Sequence, residues 1–366
     1  MLKDKKVKTI LGLIFAIVVG VTIYLIFDNI DNEASLNEIY NKTTKATMDV
    51  KIKSGNLSPD YVIEQVMSDV DKFRLNTINV PVIIDVENLG SSYMKINKES
   101  KKKAVKLIKK LNKKKINVIL EAYPWIENGT KLETEWKPCN RDYFFDNWRK
   151  EVLKVLVNDI AVPYEVYAVN IASNFVMLEG EEEQWCKTID YIRDDYRGLV
   201  TYRINRWDTA VWDEKLIKKY EERVNYKYFS KVDFISVAAY FGLTNKETNT
   251  TEELTKAIEC TILNDRKQNI KQELKNFYEK WKKPIFFGEL GFPRTNGAAI
   301  EPYNWNYSDT VNNIEQAHCF EAYRRVFEKE EWVLGFSIFA IGENSASKKY
   351  YPSDESKMII REWYEK

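Results

Sequence analysis

Short apolar runs rich in β-branched residues alternate along the chain with longer stretches whose apolar positions recur every three or four residues. The first pattern is that of buried strands and the second that of helices with one buried face. Strands are predicted over 46–52, 77–85, 116–123, 165–172, 199–205, 232–240, 284–290 and 333–342. Helices are predicted over 58–73, 98–114, 144–160, 181–196, 213–224, 251–265, 269–282, 312–329 and 354–365, the first of them capped by Ser58. Repeated strand–helix units over this length predict a (β/α)8 TIM barrel. A doubly wound sheet usually places a glycine-rich phosphate turn after its first strand, whereas "DVKIKSGNLSPD" holds a single glycine.

The beginning of the chain follows neither pattern. Thr9 to Phe27 carries no charge and is about long enough to cross a bilayer as one helix, and Lys3, Lys5, Lys6 and Lys8 precede it. A cleaved signal peptide usually has a shorter apolar core and a small-residue cleavage site after it. The expectation is therefore a cytoplasmic basic tail over 1–8, a single transmembrane helix over 9–27, a polar stalk over 28–45 and the barrel over 46–366. The barrel would then be extracytoplasmic and tethered to the cell membrane.

Composition narrows the chemistry. Lys+Arg 56 against Asp+Glu 55 gives no electrostatic case for nucleic acid. The lysines of 98–115 surround Ala104, Val105, Leu107, Ile108 and Leu111 at helical spacing, which is the solvated face of an amphipathic helix. Cys139, Cys186, Cys260 and Cys319 stand far apart and form no zinc-type pair. His318 is the single histidine and lies in the amphipathic stretch "IEQAHCFEAYRRVF", so multi-histidine metal chemistry is excluded and Ser-His-Asp or Cys-His catalysis is not expected. No metal or organic cofactor is expected.

One acid stands out. "KPIFFGELGFP" ends an apolar strand in Gly288 and Glu289, at the C-terminal end of the seventh strand, where barrel enzymes place catalytic groups. A structural reading pairs Glu289 with Arg203 or Arg294. Retaining cleavage of a glycosidic bond needs two carboxyl groups about 5–5.5 Å apart, one to attack and one to protonate. The fourth strand ends in Asn174, an amide that cannot supply a proton as an acid does. Aromatic residues gather near the strand ends: Tyr123 and Trp125, Trp207, Tyr240, and Tyr303 with Trp305. Flat rings at a barrel mouth suit the faces of sugars.

These residues resemble glycoside hydrolase family 113, clan-A barrels typified by β-mannanases. The likeness covers most of 46–345. "PWIENGTKLETEWKP" is similar to the family's loop after strand three, and "EEEQWCKTIDYIRDDYRGLVTYRINRW" to its segment between strands four and five. "DFISVAAYFGL" resembles its strand six, and "KPIFFGELGFPRTNGAAIEPYNW" its nucleophile turn and following loop. The resemblance implies a retaining endo-β-glycosidase with Glu289 as nucleophile, Tyr240 hydrogen-bonded to it, and Trp125, Trp207, Trp305, Tyr303 and Asn205 binding substrate. Three positions depart from it. The family's acid/base glutamate is replaced by Asn174, its histidine after strand three by Tyr123 or Pro124, and its strand-eight tryptophan by Phe336 and Phe339. Glu179, Glu343 or Glu87 could then serve as surrogate acid. The alternative is a degenerate barrel that binds a surface glycan without cutting it. In either case the expected partner is a polysaccharide.

Overall fold

The computed structural model describes residues 47–345 and 348–365. The predicted tail, anchor and stalk lie outside these residues. Among the described residues no helix is long and apolar enough to cross a membrane.

Eight parallel strands form the barrel: β1 (Ile52–Leu57), β2 (Thr77–Val86), β3 (Asn117–Ile126), β4 (Ala168–Ser173), β5 (Leu199–Asn205), β6 (Phe234–Ala238), β7 (Ile285–Leu290) and β8 (Val333–Ile341). Each pairs with its neighbour in sequence, and β1 pairs with both β2 and β8, so the sheet closes. Closure leaves no exposed edge. At the seam Gly335 adopts φ 151°, and a Cβ there would lie 2.0 Å from the Ile52 carbonyl oxygen. Only glycine lets β8 approach β1 this closely. A two-residue strand, Lys95–Ile96, adds to β2 in antiparallel fashion.

The helices form where amphipathic spacing predicts. They are α1 (Ile63–Phe73), α2 (Lys98–Lys113), a run α3 over 141–161, α4 (Glu182–Arg193), α5 (Glu214–Val224), α6 (Thr251–Glu259), α7 (Ile270–Trp281), α8 (Asn313–Phe327) and α9 (Asp354–Glu362). The α3 run widens to π turns at Trp148–Leu153 and Val157–Ala161. The lysine-rich α2 is capped by Asn97, whose side chain accepts from the Ser100 amide, and it buries Ala104, Leu107, Ile108 and Leu111 and leaves Val105 half-buried.

The inside of the barrel has two levels. At the N-terminal end, Ile52, Ile119, Ala168, Leu199, Phe234, Phe286 and Leu334 form an apolar plug drawn from seven strands. Above it the inward residues turn polar. Ser54 donates to Asn79, Asn79 donates to Glu121, and Asn56 donates to the Gly288 carbonyl. This polar level explains the largest misplacement of the sequence reading. The first strand runs over Ile52–Leu57, not 46–52, because its inward positions include Ser54 and Asn56 and carry no apolar signal. Its helix starts at Ile63 with no side-chain cap, so Ser58 does not serve as predicted. The third strand also continues past 123 to Ile126.

The C-terminal segment belongs to the core. Trp363 is fully buried, with its ring 4.3 Å from that of Phe336 on β8. Trp363→Ala is expected to cost about 3–5 kcal/mol, as large-to-small changes of buried aromatics do. A denaturant titration checks this, and a loss below about 1 kcal/mol would show that the last helix does not hold the barrel closed.

Candidate active site

Glu289 does not point where strand alternation would send it. Phe286 faces the plug and Phe287 packs outward on Tyr323 and Phe327 of α8, so Glu289 should share the outer face. The register with β6 slips between Ser236 and Ala238, and that with β8 slips after Phe287. A bulge of this kind re-aims a side chain, and Glu289 turns into the barrel. Gly288 makes room, since a Cβ there would lie 1.9 Å from Ser236 Oγ and 2.7 Å from Arg203 Nε.

Arg203 of β5 lies beneath Glu289. Its Nη1 donates to Glu289 Oε1 at 2.8 Å and to Glu121 Oε2 at 3.2 Å, and its Nη2 also bonds Glu121. Burial works against the cation, but the two carboxylates outweigh burial and hold its pKa above the ordinary value. Ser173 Oγ donates to Glu289 Oε1 at 3.4 Å and Asn174 Nδ2 at 3.3 Å. Tyr240 is a further hydrogen-bonding neighbour; burial first, and then Glu289, raises its hydroxyl pKa well above the usual value, so it stays a donor. Every group contacting Glu289 donates to it, as suits an acceptor-only carboxylate. The Glu289 side chain keeps 13% exposure, so it is clamped but not sealed.

A second carboxyl faces the first. Glu133 lies in a turn over Glu133–Glu135, in the loop after β3. Asn174 Nδ2 donates to Glu133 Oε1 at 3.2 Å as well as to Glu289. With one nitrogen bonded to both, the two oxygens are no more than about 6.5 Å apart. Although the residue is only partly buried, its carboxyl is enclosed. Burial first, and the charge of Glu289 second, push its pKa up to about 7. Trp136, three residues on, anchors the turn. Its indole donates to the Ser91 carbonyl at 2.9 Å, and its ring packs on Phe175, next to Asn174.

Two cavities lie among the loops at the C-terminal ends of the strands, and neither is lined by Glu289 or Glu133. The larger, about 750 Å³, lies among the loops after β2 and β3 and is walled by Tyr93, Trp125, Tyr143 and Glu87. Its Trp125 ring is 6.4 Å from that of Tyr123, whose hydroxyl pKa is raised by burial and by Glu133 and Glu289. The smaller, about 220 Å³, is walled by Trp305, Phe339, Glu343 and Tyr350. Phe339 and Tyr350 pack on Tyr240.

Other expected residues lie elsewhere. Trp207 is only 3% exposed; it packs on Phe241 and Phe277 and donates to Glu273, so it is core and not cleft wall. Glu179 is fully buried and held at both oxygens by Arg223, so it has no free face toward Glu289. Asn205 uses its backbone amide to support that pair. Tyr303 stacks against Arg206 at 4.2 Å. All four cysteines are free thiols, and His318 Nδ1 pairs with the Asn249 carbonyl. Among the described residues no group of three or more His, Cys, Asp or Glu side chains is arranged to hold a metal.

The sequence matches the model of Glycoside Hydrolase Family 113 over residues 55–359. The chain belongs to this family. No curated protein matches the chain. Among solved structures, a GH113 β-1,4-mannanase superimposes with TM-score 0.65 at 18% identity, covering 86% of this chain and 99% of that one. The GH113 β-mannanase of Alicyclobacillus acidocaldarius gives TM-score 0.64 at 16% identity, covering 86% and 97%. A family 5 mannosidase of Rhizomucor miehei gives 0.53 at 10% identity, covering 86% and 92%. At these identities the superpositions establish a shared fold. The GH113 match, with the barrel and its inward Glu289, makes this a glycoside-hydrolase-like protein.

The sequence reading missed Glu133, although it quoted the stretch "LETEW" that carries it. Arg203 was weighed only as part of a structural reading, yet it holds Glu289 at the barrel mouth. Glu133 has a consequence for stability. A carboxyl with a raised folded pKa stabilises the protein while protonated, and that contribution is lost as pH rises from 4.5 toward about 7. Glu133→Gln is expected to flatten this decline, measured as denaturation midpoint against pH. An unchanged slope would place the carboxyl in water.

Proposed function

We propose that the protein is a working retaining endo-β-glycosidase acting on a β-linked, mannan-like polysaccharide. The carrying observation is the pair of carboxyl groups bridged by Asn174, whose bonded oxygens lie no more than about 6.5 Å apart, a separation that admits the 5–5.5 Å of retaining enzymes. Glu289 is the nucleophile, with its carboxylate positioned by Arg203 and Tyr240. The similar GH113 structures are described as β-mannanases, which supports a mannan-like substrate. Trp125 and Trp305, the latter 57% exposed, supply faces on which sugar rings can rest. The charge-free stretch 9–27 supports a single membrane anchor, with the barrel outside the cytoplasm.

A barrel that only binds glycan is the second reading, and it rests on the amide at position 174. A second acid beside Glu289 weighs against it. The test incubates the full-length protein and Glu289→Gln with β-1,4-mannan and β-glucan. New reducing ends from the unmodified protein alone are expected. Equal background from both proteins on both polymers would overturn the enzymatic reading.

A further inference from the structure

We propose that Glu133, delivered by the loop after β3, is the general acid/base of this site and does the work that Asn174 cannot. The assignment rests on the retaining reading above and adds a residue at a different place in the fold. Among the residues that the structure gathers at Glu289, Glu121 is fully tied to Arg203, Asn79 and Asn170 below it. Glu179 is consumed by Arg223. Glu133 is bonded to Asn174 and lies on the loop side of Glu289, not beneath it in the barrel. The groups facing it are Glu289, Arg203, Tyr123 and the Asn174 amide. A carboxyl held protonated to about pH 7 by burial and by a neighbouring carboxylate has the proton supply that the role needs.

The steps balance with these two residues and water. A Glu289 oxygen attacks the anomeric carbon, the bond to the leaving sugar breaks, and the Glu133 proton goes to the departing oxygen. Glu133, now a carboxylate, takes a proton from water as that water attacks the same carbon. The ester to Glu289 breaks, and both carboxyl groups return to their starting states. Asn174 is the positioning residue, since its amide nitrogen bonds both carboxyl groups. Trp136 sets the loop through Ser91 and Phe175.

The test compares the full-length protein with Glu133→Gln on β-1,4-mannan and on 2,4-dinitrophenyl β-mannobioside, whose leaving group needs no proton. Mannan cleavage is expected to fall about 10²–10⁴-fold. The dinitrophenyl substrate should still release a first-turnover burst of phenol. Azide should then restore turnover by attacking the intermediate without a general base, and yield a β-glycosyl azide. The alkaline limb of kcat/KM near pH 7 should disappear. Because burst and rescue require a folded site, they separate chemistry from misfolding. Undiminished mannan cleavage by the variant, or an equal loss on both substrates without azide rescue, overturns the assignment and leaves the enzymatic reading intact. An unmodified protein that cuts neither substrate overturns both.

Discussion

The site depends on one buried cation. Arg203 lies inside a closed barrel, bonded to Glu121 on one side and to Glu289 on the other. Removing its charge would leave two carboxylates facing each other in a space that offers little water, an arrangement that costs several kcal/mol. The geometry around it follows from that need. Gly288 has no side chain because Arg203 and Ser236 occupy the space a Cβ would fill. The bulge in β7 turns Glu289 inward to meet the guanidinium. The polar level above the apolar plug gives Glu121 its remaining donors, so the pair below the site is satisfied before substrate arrives.

From this clamp the two acids acquire different surroundings. Glu289 is bonded by donors and a cation. Glu133 is enclosed, and burial first and the field of Glu289 second outweigh the amides of Asn174 and of its own backbone, so its carboxyl is pushed up to about 7. Two like groups with unlike surroundings are the physical basis of acid and nucleophile roles in one cleft. Asn174 holds the distance between them, so an amide at that strand end need not mark a dead site.

The alternation of strands and amphipathic helices made the barrel legible, because most strands bury apolar residues and α2 buries four of them beneath a lysine-rich face. It failed at β1, where the inward residues above Ile52 are Ser54 and Asn56. Glu289 was legible because an apolar strand and a glycine deliver it. Glu133 was not, because a turn after β3 has no periodicity and its role depends on contacts with Asn174 across the barrel mouth. Trp207 misled in the opposite direction: composition marks a tryptophan near a strand end, but only packing on Phe241 and Phe277 reveals it as core. Glu179 looked available along the chain until Arg223 was placed beside it.

The spacing set by Asn174 carries the account, and the stereochemistry of cleavage reports that spacing. Proton NMR of the first sugar released from β-linked mannan by the full-length protein reads it before mutarotation intervenes. A β-anomer formed first is the predicted result, because a covalent intermediate on Glu289 inverts the centre twice. An α-anomer formed first would mean that water attacks directly, and would contradict the pairing of Glu289 with Glu133.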